Sequence, residues 1–536
     1  MTFHVRWLGP VRYRDAHALQ HGLFADGEED WLLLLQHPPT YTMGVRADPT
    51  HVLVDPASVG AELVTADRGG DVTFHGPGQL VGYPILTLPG KHGVKRGGGM
   101  ADTVAYVHSV EQLLIDVLAD LGLAGAERLD GYPGVWVDAA GERPRKIAAI
   151  GVRLSRGRSM HGFALNVDTD LSWFDHIVPC GIEGLGVTSL AAEGIDASMR
   201  DVVDAVTARA AARWGGGACE RADVAWAREP EPAAASAGVP VELRARKPGW
   251  LRAPASMGPD YVRLKATMRE LDLTTVCEEA GCPNIFECWA DGTATFMLNG
   301  DRCTRACGFC LVDTRRPSAP DPAEPLHVAE AVGRMGLRFV VLTAVARDDL
   351  PDGGASGFAA TVAALRDRQP DVGVEVLIPD CKGDPDALDV IFAARPDVLN
   401  HNLETVARLQ RAVRPSASYA RTLAVLARAR AAGLTTKSGL MVGLGETVDE
   451  MAGALADLHG VGVSSVTIGQ YLRPTAGHLP VARWWTPDEL DHLKAVGEGL
   501  GIPHVEASPL TRSSYHAADL VRPDGRSREL LPESTP

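Results

Sequence analysis

Thr293-Ala-Thr-Phe-Met-Leu298, followed by Cys303-Thr-Arg-Ala-Cys307-Gly-Phe-Cys310, is the stretch whose reading decides the fold of the larger part of this 536-residue chain. A β-rich run ends, and three cysteines follow in the spacing C-x3-C-x2-C. Three thiolates on one short loop can hold three corners of a four-iron cluster and leave the fourth iron open to a substrate or cofactor. The competing reading is a zinc knot, which more usually pairs C-x2-C units to close a tetrahedron. Working outward, further β-rich runs fall at 339–343, 374–378, 398–400, 435–441 and 466–471, with helical stretches between most of them. That alternation predicts parallel strands joined by right-handed crossovers. Six such units make a partial (β/α)6 barrel, where a full one needs eight. After the strands come Arg347-Asp-Asp-Leu-Pro-Asp-Gly-Gly354, Pro379-Asp380, His401-Asn-Leu-Glu404, Gly443-Leu-Gly-Glu446 and Arg473-Pro-Thr475. These are polar or Gly-rich segments on the rim where β/α barrels keep their chemistry.

The bulk numbers fit this reading. The length implies two to four domains, and 45% hydrophobic with 22% charged residues is ordinary globular composition. Net charge is −16, which argues against a nucleic-acid partner. No apolar run approaches the roughly 18 residues that cross a bilayer. The opening Met1-Thr-Phe-His-Val-Arg-Trp is not a signal peptide, so a cytoplasmic protein without a membrane partner is expected. Of nine cysteines, six lie between Cys277 and Cys310, which in a reducing compartment reads as metal ligation rather than as disulfides.

The upstream triplet, Cys277-Glu-Glu-Ala-Gly-Cys282-Pro-Asn-Ile-Phe-Glu-Cys288, is C-x4-C-x5-C and again one ligand short of four. On spacing alone it is a second cluster or a structural zinc site. The Cys303 loop resembles the signature of radical S-adenosylmethionine enzymes, in which that cofactor occupies the open iron. From Arg246-Lys-Pro-Gly-Trp-Leu to Thr511-Arg-Ser-Ser-Tyr515 the chain is similar to lipoyl synthase, a likeness carried by both cysteine triplets. Asn400-His-Asn-Leu-Glu-Thr, Ser438-Gly-Leu-Met-Val-Gly-Leu-Gly-Glu and Gly469-Gln-Tyr-Leu-Arg-Pro-Thr share it. The resemblance implies two [4Fe–4S] clusters. Cys303, Cys307 and Cys310 hold the one that cleaves S-adenosylmethionine. Cys277, Cys282 and Cys288 hold an auxiliary cluster, completed by Ser514 or, as the near alternative, Ser513. An oxygen ligand is harder than thiolate and should release its iron more readily.

In the first half, 31–36, 80–88 and 146–154 read as strands. Apolar residues at Val107, Val110, Leu114, Val117, Leu118 and Leu121 form a helical stripe, giving an α+β domain. Arg68-Gly-Gly-Asp-Val-Thr-Phe-His-Gly-Pro-Gly-Gln79 gathers four glycines and a proline around one histidine; alone, such a turn is more often structural. Lys146 heads an apolar strand, and Cys180 lies in Val178-Pro-Cys-Gly-Ile. A lysine beside a thiol favours the thiolate nucleophile, whereas a lone cysteine is more often inert and buried.

Together with His161-Gly-Phe-Ala-Leu-Asn-Val, these blocks resemble octanoyl–acyl carrier protein:protein octanoyltransferase over roughly residues 5–215. The resemblance implies a fold like that of biotin and lipoate protein ligases. Cys180 carries the octanoyl thioester and Lys146 activates it. The acyl pocket is lined by Arg68, Gly69, Gly70, Asp71, Val72, Thr73, Phe74, His75, Ala149, Ile150, Gly151, Gly162, Phe163 and Ala164. Cys219 and Cys381 match no motif.

The organisation expected is therefore an octanoyltransferase domain (1–214), a Gly/Pro/Ala-rich linker (215–243), a lipoyl synthase domain with N- and C-terminal cluster-binding extensions (244–520) and a polar tail (521–536). The linker's typical reach is about 30 Å. The resemblances imply two consecutive reactions. Octanoyl passes from acyl carrier protein to a lysine of a lipoyl domain, and sulfur is then inserted at C6 and C8 of that chain. The implied partners are octanoyl–acyl carrier protein, lipoyl domains of 2-oxoacid dehydrogenase E2 subunits, the glycine cleavage H protein and an electron donor. The alternatives are an ATP-dependent lipoate or biotin ligase in the first half, and a zinc-binding regulatory module in the second. A basic run, Arg143, Arg145, Lys146, Arg153, Arg156 and Arg158, either docks acidic carrier proteins or is a solvated hairpin face.

Overall fold

The computed structural model describes residues 2–26, 29–90, 101–178, 185–226, 247–251, 266, 268–271, 273–275, 293–515 and 518. Cys180, Cys277, Cys282, Cys288 and the tail from 521 lie outside the described residues. The chain divides into two compact units, Met1–Trp226 and Ala227–Pro536.

The first unit contains β1 (Phe3–Pro10), α1 (Tyr13–Asp26), β2 (Asp30–Gln36), β3 (Thr40–Met43), β4 (Glu62–Thr65), β5 (Val72–His75), β6 (Gln79–Ile85), α2 (Thr103–Asp120), β7 (Ala126–Leu129), β8 (Tyr132–Val137), β9 (Arg145–Ser155), β10 (Arg158–Asn166), β11 (Gly186–Val187), α3 (Met199–Trp214) and β12 (Glu220–Asp223). Its main sheet runs β12-β1-β2-β6-β10-β9-β8-β7, with β11 added beside β9; β4-β3-β5 form a smaller sheet. β2, Asp-Trp-Leu-Leu-Leu-Leu-Gln, is an interior strand, pairing β1 on one side and β6 on the other, and Asp30 to Leu35 are all buried. Leu32 and Leu34 enter the core beneath α2 and α3. Each such leucine contributes about 1.5–3 kcal/mol by leaving water. The predicted stripe is the buried face of α2, with Val110, Leu114, Val117 and Leu118 inside and Asp102 capping the N–H groups of Val104 and Ala105.

The expected linker does not begin at Gly215. β12 pairs in parallel with β1, and Trp226 stacks on Trp7 with ring centroids 4.6 Å apart. A flexible-looking composition is overridden here by an unfilled sheet edge and an aromatic partner.

The second unit contains β13 (Thr274–Thr275), β14 (Thr293–Leu298), α4 (Glu324–Met335), β15 (Phe339–Ala344), α5 (Ala355–Arg368), β16 (Gly373–Leu377), α6 (Pro385–Ala393), β17 (Val398–Asn400), α7 (Tyr419–Ala431), β18 (Thr435–Val442), α8 (Val448–Gly460), β19 (Ser465–Gln470), α9 (Pro487–Gly499) and β20 (His504–Ser508). The sheet follows chain order from β13 to β20; β13 is antiparallel to β14 and every later pairing is parallel. All six expected strands form. A seventh parallel strand, β20, follows α9 and ends an open array among the described residues. His-Val-Glu-Ala-Ser carries too few apolar residues to stand out, but as an edge strand it needs to bury only Val505 and Ala507. Capping boxes start α8 at Thr447 and Glu450, and α9 at Thr486 and Glu489.

Candidate active sites

In the first unit the glycine-rich turn, β9 and β10 close around a cleft of about 470 Å³, partly open to solvent. Close backbone approach makes it. A Cβ at Gly82 would lie 2.1 Å from the Phe163 ring across the β6–β10 pair. The Gly69 N–H donates to the Val152 carbonyl at 3.0 Å, tying the turn to β9. Arg68 is held by Thr42, whose hydroxyl and carbonyl oxygens accept from Nε at 3.1 Å and from Nη2 at 2.5 Å.

Twelve of the fourteen expected pocket residues line this cleft: Arg68, Gly69, Gly70, Asp71, Thr73, His75, Ala149, Ile150, Gly151, Gly162, Phe163 and Ala164. Val72 and Phe74 do not. They alternate to the other face of β5 and pack with Tyr41, Phe174 and Ile177. Tyr13, Val81, Tyr83 and His161 complete the lining, and sequence reasoning missed them. They come from α1, β6 and a residue of β10 with φ of 56°, and no local pattern brings those elements together. Burial, first of several causes, pushes the His161 imidazole down to about 3 and the Tyr13 hydroxyl up to about 12, so both are neutral at physiological pH.

A second cavity is lined by Lys146, Gln79, Asn166, Phe174 and Val187, and shares Thr73, Ala149 and Ala164 with the first. Lys146 Nζ lies 4.7 Å from the centre of the Trp136 ring. After the segment bearing Cys180, the described chain returns as β11, where Val187 pairs with Lys146. The basic run does not gather around Lys146. It is spread along β9, which at about 3.3 Å per residue separates Lys146 from Arg156 by roughly 30 Å. Arg158 is buried against Thr87 and the Glu29 carbonyl, Arg145 pairs with Glu193, and Arg153 contacts Asp67.

In the second unit Cys303, Cys307 and Cys310 lie on the loop between β14 and α4, over the C-terminal ends of the strands. Thr304 N–H donates to the Ala346 carbonyl beyond β15, and Gly308 N–H to that of Val413. Arg305 fastens the loop centre with ion pairs to Asp348 at 2.7 Å and to Asp380 at 2.6 Å. His478 donates to the Cys310 carbonyl at 2.9 Å. The loop is thus shaped by partners from four strand ends, with the Arg305 N–H directed at Cys303 Sγ, 3.4 Å away. Burial pushes the Cys310 thiol up to about 11 and also raises Cys307, so a thiolate ligand there would need a metal ion to displace its proton.

Beside this loop, at the end of β17, Asn400 Oδ1, His401 Nε2 and Asn402 Oδ1 are buried without a hydrogen-bond partner among the described residues. Such orphaned groups fit a bound polar cofactor. Beneath them Lys437 pairs with Glu375 at 3.1 Å, both fully buried, and Asn400 donates to Glu375 at 2.8 Å. Asn402 Nδ2 donates to Ser513 Oγ at 2.7 Å. The approach of the Ser513–Ser514 segment depends on Gly469, where a Cβ would lie 2.0 Å from the Thr511 carbonyl oxygen. Other motif residues brace the frame. Arg347 donates to the Asn299 and Ser318 carbonyls, and Glu446 accepts from the Gly443 and Leu444 N–H groups. Cys381 is buried with its thiol pushed up to about 12, the state of an inert cysteine.

Residues 12–211 match the lipoyl protein ligase A/B catalytic domain, 299–458 the radical SAM superfamily, and 231–282 the N-terminal domain of lipoyl synthase of that superfamily. Fold and site together define a radical SAM enzyme joined to a lipoyl ligase or transferase domain. Lipoyl synthase from Mycobacterium avium is 54% identical over 293 residues, covering 55% of this chain and 94% of that protein. The Rubrobacter xylanophilus enzyme is 57% identical over 273 residues, covering 51% and 85%. A solved structure described as a putative lipoate protein ligase from T. acidophilum covers 42% of this chain and 90% of its own, at 18% identity and a TM-score of 0.34. Through its C-terminal half the chain belongs to the lipoyl synthase family, and with its N-terminal catalytic domain it is a bifunctional enzyme of lipoate biosynthesis. Membership implies iron–sulfur and S-adenosylmethionine binding. Among the described residues no helix is long and apolar enough to cross a membrane.

Proposed function

We propose that the first unit is an octanoyltransferase acting through Cys180, and that the second inserts sulfur at C6 and C8 of the octanoyl chain it delivers. The observation that carries the first assignment is the pairing of β11 with Lys146, which brings the chain leaving the Cys180 segment to the lysine, beside a cavity that shares Thr73, Ala149 and Ala164 with the acyl cleft. In this reading Lys146 accepts the Cys180 proton, and the thiolate attacks the thioester carbonyl of octanoyl–acyl carrier protein. The carrier thiol leaves with a proton. The lysine amine of a lipoyl domain then attacks the Cys180 thioester, forming the amide and returning the thiolate, while the proton the amine loses passes to Lys146. Glycines 69, 70, 151 and 162 let the acyl chain lie against backbone, and Arg68, fixed by Thr42, braces the turn.

In the second unit Cys303, Cys307 and Cys310 would hold the cluster that, with S-adenosylmethionine, supplies the radical chemistry. Cys277, Cys282 and Cys288 would hold an auxiliary [4Fe–4S] cluster as sulfur source. Ser514 is favoured as its fourth ligand because Ser513 Oγ is engaged by Asn402, which also tethers the segment. His401, Asn400 and Asn402 would orient the polar cofactor through their orphaned atoms. The lipoyl domains of E2 subunits and of the glycine cleavage H protein are the proposed acceptors, in the cytoplasm.

The test is an anaerobic assay of the intact chain with octanoyl–acyl carrier protein, apo lipoyl domain, S-adenosylmethionine and reductant, read by mass. Wild type should give lipoylated domain, and Cys180→Ala should give it only from a pre-octanoylated domain. Octanoyl attachment that needs ATP and persists in Cys180→Ala would establish a ligase instead. Metal analysis should find about eight irons per chain, as two four-iron clusters require; zinc alone would overturn the second assignment.

A further inference from the structure

At the wall of the acyl cleft, which His161 lines, three ligating side chains converge that have no assigned role in either proposed reaction. His161 Nε2 lies 2.6 Å from Asp67 Oδ1, and His17 Nε2 lies 3.1 Å from the same oxygen. Among the described residues this is the group of three whose ligand atoms all fall within 4.8 Å of one another. His21, one turn along α1 from His17, adds a nitrogen 3.3 Å from His17 Nε2 and 3.6 Å from Asp67 Oδ2.

Two imidazole nitrogens and a carboxylate oxygen, each able to ligate a cation, converge here from three separate segments. Arg153 contacts the other Asp67 oxygen, Oδ2, which leaves Oδ1 as a single-point ligand, and the Arg68 guanidinium donates to Thr42. The position of His161 is imposed by the fold. Its φ is 56°, and its N–H donates to Gln20 Oε1 of α1 at 2.9 Å. Strain of this kind collects where a side chain must be aimed.

We propose that His17 Nε2, Asp67 Oδ1 and His161 Nε2 form a site for one divalent transition-metal ion of the zinc class, with His21 at its edge. Two imidazoles and a carboxylate favour zinc over magnesium or calcium, and three protein ligands leave a position open. His17, His21 and Asp67 are each about a third or more exposed, which gives the ion an entry path. Because the three ligands come from α1, the segment before Arg68 and β10, a bound ion would clamp the cleft wall formed by Tyr13, Arg68 and His161.

The proposal stands apart from the transfer reaction and is tested on the full chain with its clusters loaded anaerobically, so that iron occupies the cysteines. After equilibration with zinc sulfate and desalting, zinc absorption-edge spectroscopy should show about one zinc per chain with nitrogen and oxygen neighbours at about 2.0–2.1 Å. That zinc should be lost in His17→Ala and in the near-isosteric Asp67→Asn. It should remain when Cys303, Cys307 and Cys310 are all changed to Ala. Zinc should slow hydrogen exchange in α1 of the wild type and of the cysteine variant, and in neither ligand variant. Zinc retained in both ligand variants, zinc bound only by sulfur, or no zinc retained would each overturn the assignment.

Discussion

At the scale of single residues, two positions carry most of the proposed chemistry. Lys146 stacks over Trp136 at the cavity that adjoins the acyl cleft. If it takes the Cys180 proton, Lys146→Ala should cut octanoyl transfer on the order of 10²–10⁴-fold, the usual yield of a positioned base. Sulfur insertion into a pre-octanoylated domain should be unchanged. An assay of each step separately decides this, and equal loss in both would mean a folding defect. Ser513 and Ser514 are neighbours in different circumstances, since Asn402 donates to Ser513 Oγ. Ser514→Ala should therefore abolish sulfur transfer while leaving S-adenosylmethionine cleavage measurable. Ser513→Ala, losing one hydrogen bond worth about 1 kcal/mol, should retain much of it.

Elements explain why these residues stand where they do. β19 admits the serine segment only because position 469 has no Cβ, which would otherwise meet the Thr511 carbonyl oxygen at 2.0 Å. Gly469→Ala should lower iron content by about half, through the auxiliary cluster, with the parallel sheet still folded by circular dichroism. The ladder from β16 to β18 is crossed by the Lys437–Glu375 pair at 3.1 Å, with Asn400 donating to the same carboxylate. Lys437→Met leaves a buried carboxylate without its cation and should cost about 3–5 kcal/mol. Lys437→Met with Glu375→Leu should recover most of that in urea unfolding. The β9–β10 hairpin is the opposite lesson. Arg158 goes into the interior, and Arg145 and Arg153 are committed to Glu193 and Asp67, so a run that is basic in sequence is not one surface.

For the molecule as a whole, the buried histidines set an acid limit. Burial pushes His37 down to about 4 and His75 well below its ordinary range. Between about pH 6.5 and about pH 4 the unfolded chain binds the His37 proton and the folded one does not, so stability falls as pH falls through that window, and His75 acts in the same direction. The urea concentration at which β6 becomes susceptible to proteolysis should be lower at about pH 5 than at about pH 7. Beyond this, what can be read from sequence follows from physics. The strand–helix alternation and the helical stripe of α2 are local periodicities, and each appears in the structure where its spacing places it. β20 escaped because an edge strand needs little apolar surface. β12 escaped because its composition is that of a loop and only the open flank of β1 gives it a partner. Val72 and Phe74 were expected in the cleft because a contiguous motif hides the alternation of a strand.

What the amino-acid order made legible by itself was local pattern: the C-x3-C-x2-C spacing, the glycine-rich turn after Arg68 and the lysine at the head of β9. Their spacing is local and needs no fold to be recognised. Only the tertiary structure decided which distant side chains share a space. It set Val187 beside Lys146, Asn402 against Ser513, and His17 of α1 within reach of Asp67 and His161. These pairs are separated by tens to more than a hundred residues. They meet because burying the apolar faces of strands and helices leaves one packing, and that packing sets the polar distances.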